Sequence, residues 1–165
     1  MEEKFTFFWS GPFSQWHPSK FSIEKITYSC AEQWMMAAKA RLFNDNDALK
    51  KIMKTNNPKE QKAFGRKVKG YADKIWDKFA RNFVYIGSLA KYSQNNNLKK
   101  RLMETRGTTL VEASPLDTKW GIGLNKNDPR AQKRENWLGT NWLGEVLTQL
   151  RDDFFEDKVN TKRFL

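Results

Sequence analysis

The feature that most constrains the fold is a long helical pattern of large apolar side chains in the middle of the chain. Residues 72–92 carry these side chains at intervals of three and four: Ile75, Trp76, Phe79, Phe83, Ile86 and Leu89. Such spacing lines up one side of an α-helix, and a helix of this length spans about 30 Å, the diameter of a small domain. The pattern predicts a core helix on which one domain is built.

Shorter patterns on both sides of this helix complete the expected architecture. Helices are predicted from Ser29 to the turn formers at 44–47, at 48–55, from Pro58 to near Gly70, at 98–104 and at 142–155. Strands are predicted at 5–9, at 21–28 as one strand or a pair, and at 108–112, with a loop at 114–134. No internal repeat or linker is evident. We therefore expect an α+β fold: a mostly helical single domain, residues 1–165, with a few short strands.

The charge of the chain points to an anionic ligand. The 165 residues carry a net charge of +11, with a pI of about 9.8. A positive field of this size attracts phosphates, nucleotides or nucleic acid. An excess of lysine that serves only solubility remains an equal alternative on charge alone.

Cysteine and histidine counts exclude several other classes. A lone Cys30 cannot form an intramolecular disulfide, and with a lone His17 it cannot build the usual structural zinc site. We expect no metal and no cofactor, with a hard cation held by carboxylates as the alternative left open. The N-terminal residues lack the features of a signal peptide, and no window approaches the ~20 apolar residues of a membrane span. These features predict a cytoplasmic protein without a membrane partner.

Glu32 and Lys39 are the first candidate pair for chemistry. They lie seven residues apart on the predicted helix from Ser29, so both side chains lie on one face. A carboxyl near a helix start can serve as an acid or base, and a lysine can hold an anion or act as a nucleophile. The alternative is structural: Glu32 closes a capping box with Ser29, and Lys39 is solvated.

Two further candidates lie within a basic stretch at 50–106. Gly65 permits close approach and Arg66 can grip a phosphate with two hydrogen bonds, unless this is only a solvated helix face. Trp76 offers a stacking surface for a base, although its spacing with Phe79 and Phe83 favours a core position.

A loop after the last predicted strand forms another candidate cluster. Asp117, Trp120, Gly121 and Gly123 follow the strand at 108–112, as in many loops that line a ligand. The two glycines are also compatible with ordinary turns.

Taken in order, these segments carry a family resemblance. They are Gly-Pro-Phe-Ser-Gln-Trp at 11–16, Tyr-Ser-Cys-Ala-Glu-Gln-Trp-Met-Met-Ala-Ala-Lys at 28–39, Gly-Arg at 65–66, Trp76, Leu-Val-Glu at 110–112, Asp117, Trp-Gly-Ile-Gly at 120–123 and Gly-Thr-Asn-Trp-Leu-Gly at 139–144. Together they resemble the NADAR-type N-glycosidases, which include riboflavin-biosynthesis-intermediate N-glycosidases. The resemblance covers about residues 5–151. Gln15, Trp16, Gln33 and Trp142 depart from residues common in the family, which bears on substrate choice.

The resemblance implies a hydrolase that cleaves the C–N glycosidic bond of a phosphorylated riboside. It implies catalytic roles for Glu32, Lys39 and Asp117. The implied substrate-binding residues are Ser14, Trp16, Arg66, Trp76, Trp120, Gly121, Gly123 and Asn141. The substrate would be a riboflavin intermediate or a similar small molecule. Two alternatives stay open: removal of ADP-ribose from a base such as guanine in nucleotide or nucleic acid, and a non-catalytic nucleotide or nucleic-acid binding module.

Overall fold

The computed structural model describes residues 2–161, which form two units. One unit is built from Gln15–Asn96, and the other combines the N-terminal residues up to Ser14 with Asn97–Val159. Each unit has its own buried residues and its own pair of short strands.

The unit at Gln15–Asn96 is a helical cluster with one hairpin. Its hairpin is formed by β2 (Phe21–Ile23) and β3 (Ile26–Tyr28), which pair antiparallel, while β1 (Phe5–Phe8) lies in the other unit. They are followed by α1 (Ala31–Leu42), α2 (Asn46–Lys54), α3 (Pro58–Gly65) and α4 (Asp73–Gln94). Helix α1 packs against α2, α3 and α4, and it is buried on nearly every side.

The Asp45 side chain holds two segments of this helical cluster together. Asp45 caps α2 by accepting a hydrogen bond from the Ala48 N–H at 3.0 Å, and its second oxygen accepts from the Lys69 N–H at 2.8 Å. This tie holds the segment after α3, which ends at Gly65 rather than near Gly70 as predicted. The predicted continuation of this helix past Gly65 was wrong, because the chain turns back toward Asp45 there.

The long helix is confirmed, but two of the six side chains in its predicted apolar stripe are exposed. Ile75 and Phe79 are 47% and 38% exposed, whereas Trp76, Ala80 and Val84 are buried. The buried face of α4 depends on small residues, because a Cβ at Gly87 would lie 2.2 Å from the Trp34 indole of α1. The buried face of α4 is therefore set by close helix packing and differs from the face that its largest apolar side chains predict.

The other unit is built around a parallel strand pair. Strand β1 (Phe5–Phe8) pairs parallel with β4 (Thr109–Glu112), and α5 (Asn96–Met103) and α6 (Trp142–Phe155) complete it. Its core contains Val111, Ala113, Ile122, Leu124 and Ala131, with Phe5, Phe7 and Trp137 packed against them. These elements confirm the predicted mostly helical α+β fold with a few short strands.

Candidate active site

The start of α1 differs from the predicted capping box. Cys30 is the N-cap residue, in an extended conformation and without a side-chain cap bond. The Gln33 Oε1 accepts hydrogen bonds from the Ser29 N–H at 2.8 Å and from the Ser29 hydroxyl at 3.1 Å. Gln33 thus makes the contact that the sequence assigned to Glu32, and the predicted Ser29–Glu32 capping box was wrong.

Gln33 also ties α1 to the end of α2. Its Nε2 donates to the Ile52 and Thr55 carbonyl oxygens, both at 3.1 Å. This glutamine is therefore a structural residue, and it stands where the resembling family often has another side chain.

Glu32 is a buried carboxyl in the first turn of α1. Its side chain is 3% exposed, and its backbone N–H donates to the Gln15 carbonyl oxygen at 2.9 Å. The positive end of the helix dipole favours a negative charge at this position. Burial and dipole together give Glu32 an environment unlike that of the exposed acids of the chain.

Lys39 lies two turns further along α1, between two aromatic rings. Its Nζ is 4.9 Å from the centre of the Tyr71 ring and 5.1 Å from the centre of the Trp76 ring. Ammonium groups are attracted to aromatic faces at such distances. Lys39 is half-buried, with both rings beside its amine, and its catalytic role stays a prediction.

Trp76 and Tyr71 have distinct roles in this contact. Trp76 is buried and stacks on Phe83, with ring centres 6.0 Å apart, as the helical spacing favoured. The Tyr71 hydroxyl donates to Asp73 at 2.7 Å, and burial followed by that carboxylate raises the pKa of Tyr71. Tyr71 was missed in the sequence because it stands alone between a glycine and the helix that carries Trp76.

The face of α1 between Glu32 and Lys39 is covered by neighbouring segments. The Gln15 amide contacts the Met35 sulfur at 3.8 Å. A Cβ at Gly65 would lie 1.9 Å from the Met36 sulfur, so α3 approaches α1 closely only because residue 65 is glycine.

The predicted binding residues Trp16 and Arg66 border these covering segments. Trp16 is exposed, and the Lys62 Nζ lies 5.9 Å from its ring centre. Arg66 is an exposed residue that caps the C-terminus of α3. The Gln15–Asn96 unit thus holds five of the predicted site residues: Trp16, Glu32, Lys39, Arg66 and Trp76.

The remaining predicted residues lie in the other unit, where Asp117 organises a loop. Its Oδ1 accepts hydrogen bonds from the Lys119 N–H at 2.9 Å and from the Trp120 N–H at 2.8 Å. Gly121 is needed here because a Cβ would lie 2.9 Å from the carbonyl oxygens of Asp117 and Glu112. Gly123 has a φ of +70°, which a side chain would strain.

Trp120 and Asn141 complete that loop region. The Trp120 ring meets the Trp142 ring edge to face at 5.6 Å. Asn141 is buried in a left-handed conformation at the N-cap of α6. Its amide accepts from the Glu112 N–H at 2.9 Å and donates to the Leu110 carbonyl at 3.0 Å, so it braces β4.

Ser14, the last predicted residue, is a buried turn residue. Its N–H donates to the Gly11 carbonyl oxygen at 3.0 Å. Within residues 2–161 no three His, Cys, Asp or Glu side chains cluster as a metal site. Over the same residues, no helix combines the length and apolar character that crossing a membrane requires.

Fold and site together define a small α+β protein with a buried carboxyl and an aromatic-bound lysine on one helix. The model of the NADAR domain matches residues 7–155, and the chain belongs to this family. It is similar to N-glycosidase R617 of Acanthamoeba polyphaga mimivirus, at 43% identity over 86% of each chain. It is also similar to Protein irg-1 of Caenorhabditis elegans, at 37% identity over 93% of this chain and 81% of that one.

A solved structure supports the fold. The NMR structure of the E. coli protein YbiA matches with a TM-score of 0.77 at 23% identity, over 96% of this chain and 89% of that chain. The family and the enzyme class expected from the sequence, a hydrolase of N-glycosyl bonds, are confirmed.

Proposed function

We propose that this enzyme hydrolyses the C–N glycosidic bond of a phosphorylated riboside, with Glu32 and Lys39 of α1 at the reacting centre. The observation that carries the proposal is the buried Glu32 carboxyl in the first helical turn, with Gln33 in the capping role. The aromatic-bound amine of Lys39 lies seven residues further along the same helix.

The chemistry of the bond explains why carboxylates are needed. Cleavage builds positive charge on the ribose carbon and negative charge on the leaving nitrogen. One group must protonate the leaving base, and a carboxylate must activate water or stabilise the cation, as in O-glycoside hydrolysis. Glu32 and Asp117 are the proposed carboxylates, and Lys39 holds the substrate or attacks the ribose carbon.

Binding of phosphate and base falls to the remaining predicted residues. Arg66 is exposed and supplies a planar cation suited to phosphate. Trp16, itself exposed, and Trp120 provide ring faces for a base. Ser14, Gly121, Gly123 and Asn141 stay proposed binding residues, and they shape a turn and a loop in their own unit.

We propose a phosphorylated riboside of the riboflavin-biosynthesis type as substrate. A second candidate, ADP-ribose on a base such as guanine in nucleotide or nucleic acid, is favoured by the net charge of +11. Each added phosphate contact would increase a salt-dependent affinity. Incubation with both substrate types, followed by mass spectrometry of the released base, separates the two.

Glu32→Gln tests the proposal directly. Loss of the ionisable carboxyl should lower turnover by roughly 10²–10⁴-fold, the usual contribution of a general acid or base. Glu135→Gln is the matched control, because Glu135 is exposed on a short turn and should tolerate the same change. Full turnover by Glu32→Gln, with an unchanged circular dichroism spectrum, would remove Glu32 from the mechanism.

A further inference from the structure

The unit that contains β1 and β4 has a cleft outside the predicted site residues. Its volume is about 390 Å³, within the roughly 300–1,000 Å³ typical of small-molecule sites. The lining residues that matter chemically are three aromatic and three polar side chains: Phe8, Trp9, Phe13, Arg101, Asn125 and Lys126.

The aromatic side of the cleft combines a fixed wall with an open ring. Phe8 is buried and meets Phe13 edge to face, with ring centres 5.7 Å apart. Trp9 directly follows β1 and is 51% exposed. An exposed indole in a cleft offers a flat surface on which a heterocycle can stack.

The polar side of the cleft carries positive charge. Arg101 and Lys126 line it, and none of its described lining residues is acidic. The Arg101 Nε lies 3.9 Å from the Glu104 Oε2, and both side chains of that pair are more than half exposed. Such a pair contributes little, so Arg101 keeps its charge available for a ligand.

The acid that follows Lys126 is already paired with another arginine. Asp128 accepts hydrogen bonds from Arg130 Nε at 3.1 Å and from Arg130 Nη2 at 2.8 Å. The Asn125 side chain accepts from the Asn127 N–H at 3.0 Å, which fixes the turn that presents Lys126. The cleft therefore presents two cations on defined elements.

We propose that this cleft binds a nucleotide unit, with the base stacked on Trp9 and the phosphate held by Arg101 and Lys126. The chemistry fits a free nucleotide and also one nucleotide of a single strand. The inference is independent of hydrolysis, since none of these residues belongs to the proposed reacting centre.

Equilibrium binding to the full chain tests the phosphate part. The probes are AMP, adenosine and a five-residue oligo-dA, and the variant is Arg101→Ala with Lys126→Ala. We expect about tenfold or greater loss of AMP affinity and little change for adenosine. The control, Lys100→Ala with Lys133→Ala, removes two exposed cations that do not line the cleft and should change affinity less than about twofold.

Trp9→Ala tests the stacking part. AMP and adenosine should both weaken by about fivefold or more, and Trp9→Phe should restore part of the affinity. Tight AMP binding assigns the cleft to free nucleotides, and oligo-dA binding with the same variant profile but no AMP binding assigns it to a strand.

The proposal would be overturned if the cleft variant and the Lys100→Ala, Lys133→Ala control lost AMP affinity equally. Unchanged AMP binding by Trp9→Ala would overturn it as well. Hydrolysis measured in parallel keeps the two proposals apart. If the cleft variants bind AMP normally while Glu32→Gln is inactive, the proposed nucleotide site is wrong and the proposed function stands. If no substrate is hydrolysed while AMP binding depends on Trp9 and Arg101, the proposed function is wrong and the nucleotide site stands.

Discussion

Lys39 is the proposed reactive amine, and it lies between two aromatic rings. Its Nζ lies near the faces of Tyr71 and Trp76, and the Tyr71 hydroxyl is engaged by Asp73. Stacking of Trp76 on Phe83 fixes one of the two rings. The two rings place the amine at a defined position on α1, from which the proposed electrostatic and covalent roles can be compared.

Borohydride trapping distinguishes those two roles. In the covalent route the Lys39 nitrogen bonds to the ribose C1′ as the base leaves with a proton, the ring opens to an imine, and hydride reduces the C=N bond. We expect an adduct on Lys39 in the native enzyme, detected by peptide mass spectrometry. Lys39→Arg keeps the charge but should lose the adduct and roughly 10²-fold or more of turnover.

A matched change at an exposed lysine serves as the control for trapping. Lys50→Arg, on α2, should retain both adduct and turnover. Absence of an adduct in the native enzyme, with turnover kept by Lys39→Arg, would leave Lys39 an electrostatic role only.

At the scale of elements, α1 is the helix on which the proposed site depends. Residues 31–38 and Ala40 are all buried, because α2, α3 and α4 pack on different sides of it. Two glycines make this packing possible: Gly65 contacts Met36, and Gly87 contacts Trp34. The positions of Glu32 and Lys39 are therefore set by helix packing rather than by α1 alone.

Gly87→Ala should destabilise the protein despite alanine's higher helix propensity. The new Cβ would lie 2.2 Å from Trp34 Cδ1, and the indole is held by a 2.7 Å hydrogen bond to the Phe83 carbonyl. Overpacking costs about 1–3 kcal/mol, against about 1 kcal/mol gained in propensity. We expect a lower urea midpoint, with exposed Lys74→Ala unchanged as control. A midpoint raised by Gly87→Ala would mean that the indole moves freely.

At the scale of the whole molecule, the buried cations of residues 2–161 are Arg151 and Lys91. Arg151 is satisfied by the Thr105 and Thr108 carbonyl oxygens at 2.9 and 2.7 Å. Lys91 is 1% exposed, and burial lowers the pKa of its amine to about 7. The groups that interact with it include His17, Cys30 and the Tyr92 ring, whose centre is 5.0 Å from the Lys91 Nζ, and burial, then Lys91, lowers the pKa of His17.

The buried amine predicts how stability changes with pH. Because the folded pKa of Lys91 is about 7 and the unfolded value is 10.5, the unfolded chain binds more protons between these values. Stability should therefore rise with pH, by about 1–2 kcal/mol between pH 6.5 and 8.5. Above that window Cys30, whose pKa burial raises from 9.0, opposes the trend.

Lys91→Met removes this titration and provides the comparison. Urea unfolding across the same pH window should show a flatter profile and a higher midpoint near neutral pH. Burial, the larger cause, lowers the pKa of His17 in both proteins, so His17 adds a rise in stability only near the lower end of this window. Identical slopes for the native protein and Lys91→Met would show that Lys91 is protonated in the folded state.

The sequence by itself determined the elements of this protein and the family to which it belongs. Periodicity and breakers placed the helices within a few residues, because helical hydrogen bonds and turn residues act locally. Ordered motifs identified the family and its enzyme class, and they nominated Glu32 and Lys39.

Only the tertiary structure decided which side chains those elements bury and pair. Gln33 rather than Glu32 contacts Ser29, because the N-cap of α1 is one residue later than predicted. Ile75 is exposed, because α4 packs through a different face. Tyr71 contacts Lys39 because the chain folds back between them, and no local sequence pattern predicts this contact. Burial and partners depend on residues distant in sequence, and local periodicity does not specify them.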